Sequence, residues 1–167
     1  MTTHSYYAAY KLLTSKKEPT GLHTTVLFRH DTDEKTLQTI MNELKNLNLK
    51  NKFVRILGDK YLDGPKGEPN MIKTCLLDLL DTQHNQDSDG LDKLNELCKN
   101  FTYRRYLETQ HPFTFHISIG NKNPDNKKYM EYVNNQKTLD DNGGIDSLFI
   151  LGDLYIKNLD TKEITTI

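Results

Sequence analysis

The chain has 167 residues, with 22 basic side chains against 23 acidic and a formal net charge of -1. That length supports a single domain with a core of its own. A charge so evenly balanced excludes a coat for long duplex nucleic acid, so any nucleotide ligand must be short and held in a local basic pocket.

The hydrophobic fraction is low at 35%, but it is concentrated in short runs between polar helical stretches, which predicts a small α+β protein. Cys75 and Cys98 have no metal-like spacing and read as free thiols. The opening MTTHSYYAAYK has no basic head before an apolar stretch, and no apolar run reaches membrane-spanning length. These features predict a reducing, soluble compartment such as the cytoplasm of a cell or an infected host, and no membrane partner. Oligomeric state is not legible.

In chain order, residues 5–14 are rich in aromatic and apolar side chains and read as a first strand. Residues 16–21 (KKEPTG) form a turn, and residues 22–29 (LHTTVLFR) a second strand loaded with β-branched residues. Leu37, Ile40, Met41, Leu44 and Leu47 then recur at helical spacing within 31–48, with Thr32 or Asp33 as cap. Strands are expected over 53–57 and 71–80, separated by the Gly/Pro loop DGPKGEPN. A polar loop at 82–90 leads to a helix over 91–106 and a strand over 111–120. A short helix at 127–136, the turn DDNGG and a last strand at 147–157 complete the chain.

Two segments carry chemistry. Leu22-His23-Thr24-Thr25-Val26 and Phe115-His116-Ile117-Ser118-Ile119 share one frame: apolar, histidine, any residue, hydroxyl, apolar. Strand side chains two apart share a face. His23 therefore sits with Thr25 and His116 with Ser118, while Phe113, Phe115, Ile117 and Ile119 form an apolar row on the other side. Leu22, Val26 and Phe28 do the same in the first segment. A lone strand histidine is more often a surface residue, but the other four histidines lack this frame. His30 has Thr32 two residues on, yet Arg29 and Asp33 replace the apolar flanks.

Cleaving a phosphodiester without metal needs a base for the attacking oxygen and an acid for the leaving one. Histidine titrates near neutrality and serves either role, and Thr25 and Ser118 are placed to hydrogen-bond non-bridging oxygens. No Gly-rich phosphate loop, HExxH helix or CxxC pair is present. Asp31 and Asp33 beside His30 read as helix-capping residues rather than metal ligands, and Tyr103-Arg104-Arg105-Tyr106 as a solvated helix end.

The paired motifs at His23, Thr25, His116 and Ser118 resemble those of the two-histidine (2H) phosphoesterase superfamily, the LigT-like group. That resemblance implies a bilobal, pseudo-twofold α+β fold, two antiparallel sheets forming a central cleft with helices outside. It also implies a substrate such as a 2′,3′-cyclic phosphate, a 2′–5′ oligoadenylate, an RNA end or a cyclic oligonucleotide, with no cofactor and no metal. Strand parity adds a pocket: Arg29 on the side of His23, Arg55 opposite Val54 and Ile56, and Tyr7 and Lys11 opposite the row Tyr6, Ala8, Tyr10, Leu12. Such residues would stack a base and attract phosphate. The competing readings are a catalytically silent module that sequesters the nucleotide, and an interaction protein that uses the fold as a scaffold.

Overall fold

The alternation Tyr6, Ala8, Tyr10, Leu12 places one continuous apolar row on the first strand, and all four side chains are buried. The computed structural model describes residues 2–105 and 113–167 and contains, among them, seven strands and three helices. In chain order these are β1 (His4–Thr14), β2 (Pro19–Thr32), α1 (Glu34–Lys45), β3 (Phe53–Leu62), β4 (Ile72–Leu80), α2 (Ser88–Phe101), β5 (His116–Asn121), α3 (Tyr129–Asp141), β6 (Leu148–Asn158) and β7 (Ile164–Thr166). Asp33 caps α1 by accepting from the Thr36 amide at 2.8 Å, the usual way of satisfying a first-turn donor.

The strands form one antiparallel sheet in the order β2-β1-β6-β3-β4-β5, with β7 on β6. Two lobes are visible in that order, β2-β1-β6 and β3-β4-β5. They are not separate sheets, because β6 offers its remaining edge to β3 through the pairs Phe53–Ile150, Val54–Phe149 and Arg55–Leu148. Ile40 and Leu44 of α1, Leu94 and Leu97 of α2, and Leu139 of α3 join one core with the buried row of every long strand. The helices thus cover one face of the sheet and leave the other for a site. No helix among the described residues is long and apolar enough to cross a membrane.

Several boundaries differ from the sequence reading. β3 runs on to Leu62, α2 starts at Ser88, and α3 runs to Asp141, taking in the two aspartates of the DDNGG turn. The strand expected over 111–120 begins at His116; His111, like Tyr106 at the end of the expected helix, lies outside the described residues. β7, three exposed residues, carries no periodic signal. Cys75 is buried and Cys98 half-buried, both as free thiols, and burial followed by the nearby Asp59 pushes the Cys75 thiol up to about 12.

The most consequential difference is in β2. Its register with β1 shifts between Ala8–Leu27 and Ala9–Thr25, so Val26 is an extra residue and both Val26 and Leu27 are buried. Such a bulge reverses every side chain beyond it. Leu27 replaces Phe28 in the core row, and Arg29 changes face with it.

Candidate active site

β5 is seated by Ile117 and Ile119, each 1% exposed, and burying a branched aliphatic side chain contributes roughly 1.5–3 kcal/mol. His116 and Ser118 are thereby turned to the opposite face. There they pair with Leu76 and Thr74 of β4. α3 packs tightly on β5. Gly120 has φ +139°, a Cβ there would come within 3.0 Å of Tyr132, and the Asn135 amide donates to the Ile119 carbonyl at 2.9 Å.

β2 is seated in the same way by Leu22, Thr24 and Val26, all buried, which leaves His23 and Thr25 facing away from the core. Residues directly opposite in an antiparallel pair share a face. Lys11 is opposite His23, and Ala9 is opposite Thr25, so Tyr7, Ala9 and Lys11 line the same surface. Ala9 leaves only a methyl group between the other two. The Tyr7 ring stacks toward His23 with centroids 6.0 Å apart and planes 27° apart.

The two histidine strands lie at opposite ends of the sheet order, yet they meet. The Thr24 hydroxyl donates to the main-chain carbonyl of His116 at 2.7 Å. The sheet therefore curls until its outer strands adjoin, and the motif of one lobe is bonded to the motif of the other.

His116 Nδ1 lies 2.7 Å from the Thr114 carbonyl. A carbonyl only accepts, so Nδ1 carries the proton and Nε2 is the nitrogen left for chemistry. The His23 ring takes no hydrogen bond among the described residues. It remains open to solvent on one side, yet the surrounding walls desolvate it. That burial, opposed by Glu131 and aided by Lys157, holds its pKa below the ordinary histidine value. The hydroxyls of Thr25 and Ser118 likewise make no hydrogen bond among the described residues.

The cations expected in the pocket divide. Lys11 is on the His23 face, exposed beside it. Arg55 is on the face of His116, since it pairs with Asp78 on β4, two residues from Leu76; its guanidinium donates to the Gln83 carbonyl at 3.0 Å. Arg29 is not in this group. The bulge at Val26 pairs it with Tyr6 on the core face, where Nη1 donates to the Phe101 carbonyl at 3.0 Å and the guanidinium stands 5.7 Å from the Tyr103 ring centroid. It ties β2 to the end of α2.

Three residues of this surface were not read from the sequence. Tyr155 pairs with Ala9 and meets Tyr7 edge-on with centroids 6.0 Å apart; burial and a hydrogen bond with Tyr7 raise its hydroxyl pKa. Lys157 pairs with Tyr7. Glu131, in the first turn of α3, adds the acidic charge felt by His23. The buried alternation Leu154, Ile156 in β6 marks Tyr155 and Lys157 as facing away from the core, but the sequence does not say which strand they adjoin. Among the described residues no group of three or more His, Cys, Asp or Glu side chains is arranged to hold a metal.

The curled antiparallel sheet with its helices on one face is a fold shared with solved structures. Usb1 of Kluyveromyces marxianus has a similar structure: TM-score 0.54 at 12% identity, covering 99% of this chain and 98% of that chain. The same protein with uridine monophosphate gives a TM-score of 0.52 at 11% identity, covering 98% and 97%. No protein-family model and no curated protein matches this chain in sequence.

Proposed function

We propose that the chain is a metal-independent phosphodiesterase acting on a short nucleotide, with His23 and His116 as its acid–base pair. The observation that carries this is the bond from Thr24 to the His116 carbonyl, which joins two separate His-x-Thr/Ser motifs at one place. The likeness in fold to Usb1, one structure of which holds uridine monophosphate, supports a nucleotide as the ligand.

His23 is the base: burial holds its pKa below the ordinary histidine value, which favours the neutral ring that a base needs. It accepts the proton of a water or ribose hydroxyl as that oxygen forms a bond to phosphorus. His116, in its protonated form, gives the Nε2 proton to the leaving oxygen as the second phosphorus–oxygen bond breaks. Its Nδ1 contact with the Thr114 carbonyl holds the ring for this. Thr25 and Ser118 hydrogen-bond the non-bridging oxygens, where charge accumulates in the transition state. Tyr7 supplies an aromatic surface for the base, and Lys11 and Arg55 draw the phosphate. Arg29 has no part in this site.

The test is an assay with a chelator present, against 2′,3′-cyclic, 2′–5′ linked and cyclic-dinucleotide substrates. Turnover that survives chelation and is lost in either histidine variant supports the enzyme. Tight binding without turnover assigns the chain to sequestration instead, and neither binding nor turnover to a scaffold.

A further inference from the structure

We infer that Lys157 holds a second phosphate of the substrate, so that the nucleotide carries at least one phosphate besides the one being cleaved. This rests on the reading of the site given above and narrows it.

The register places Lys157 directly opposite Tyr7 across the β1–β6 ladder, on the face shared with Ala9, Lys11 and His23. It is half-buried, and among the described residues no carboxylate forms an ion pair with it. Lys50 is paired with Asp153 at 2.6 Å, Arg105 with Asp31 and Arg29 with the Phe101 carbonyl, whereas Lys157, like Lys11, forms no ion pair among the described residues. An ammonium on this face without an ion-pair partner has three donors to offer an anionic ligand.

Its main chain is set back along the sheet from the reacting group, although its charge is felt at the His23 ring. Lys11 stands beside His23, whereas Lys157 is opposite a residue four positions back along β1, about 13 Å by strand rise. Between the two lie Ala9 and the Tyr7–Tyr155 pair, a surface of about the breadth of a nucleoside. A substrate with its scissile phosphate at His23 and its base over Tyr7 directs the next phosphate of its chain toward Lys157. A nucleoside 2′,3′-cyclic phosphate with no other phosphate leaves that position empty.

The experiment compares paired substrates that share a scissile bond and differ by one additional phosphate, such as a nucleoside 2′,3′-cyclic phosphate with and without a 5′-phosphate, and a dinucleotide against a trinucleotide. In the wild-type protein the added phosphate is expected to raise kcat/KM by tenfold or more, with the gain shrinking as salt rises. Lys157→Ala should erase most of that gain through KM, and Lys157→Arg should keep it. The idea is overturned if the added phosphate brings no gain, or if Lys157→Ala lowers both members of a pair by the same factor. Should neither member be cleaved, the catalytic reading fails, and the same comparison made on dissociation constants decides the role of Lys157 by the same ratio.

Discussion

Thr24 and His116 are 92 residues apart in sequence, and the hydroxyl of one donates to the carbonyl of the other at a part-buried point between the two outer strands. Thr24 is fully buried. Thr24→Val keeps the shape and removes the donor, leaving the carbonyl without its partner, which costs about 1–3 kcal/mol. Denaturant unfolding should show that loss. Turnover should fall more than KM rises, since the two histidines lose their mutual placement. A variant as stable and as active as the wild type would deny that this bond sets the site.

Replacing either histidine by alanine should lower kcat by on the order of a hundredfold or more with the fold intact, because both rings stand off the apolar rows. Circular dichroism and melting temperature check the second half of that statement. Collapse of the fold in His23→Ala would mark the ring as structural.

The pH profile follows from the charges facing His23: Lys157 from β6, Glu131 from α3 and Lys11 opposite it on β1. Burial lowers its pKa, so with His23 as the proposed base the acid limb of kcat/KM is expected below the usual histidine range. Removing a cation that disfavours imidazolium, as in Lys157→Met, should move the limb upward. Removing the anion that favours it, as in Glu131→Gln, should move it downward. Titration of the His23 ring by NMR in the free protein reads both shifts without substrate.

Arg29→Met should cost about 1.5–3 kcal/mol, the range for a hydrogen bond from a charged donor, and should leave KM close to wild type. The bond to the Phe101 carbonyl fastens β2 to α2. A large rise in KM without loss of stability would return Arg29 to the pocket.

Gly120→Ala combines a φ of +139° with a Cβ 3.0 Å from the backbone of Tyr132. Strain of this kind costs about 1–3 kcal/mol, and relief requires α3 to move off β5. A lowered melting temperature with weakened turnover is expected; an unchanged melting temperature would show that α3 yields freely.

Strand parity carried the reading wherever a strand stays regular. Tyr7 and Lys11 can be assigned a face from the row Tyr6, Ala8, Tyr10, Leu12, and Arg55 from Val54 and Ile56. Arg29 shows the limit, because the run Val26-Leu27-Phe28 breaks the alternation. A reader of period two cannot know which residue of such a run is the extra one until β1 fixes the register. Tyr155 and Lys157 escaped for a different reason. Their meaning lies in pairing with residues about 150 positions earlier, a relation no local pattern contains. The joining of two expected sheets into one rests similarly on three pairs between β3 and β6.

The central position of β6 bears on how the molecule comes into being on the ribosome. β1 and β3 each wait for this strand, one along either edge, and it is built from residues 148–158. The strands that precede it can pair only as two fragments, the β1–β2 hairpin and the three strands β3–β4–β5, each with an apolar face and an edge that β6 later covers. Pairing so distant in sequence is slow to form, and such fragments invite aggregation in the meantime. β6, followed among the described strands only by β7, is the strand that joins the two fragments into one sheet, so their relative placement should be fixed only once it is in place.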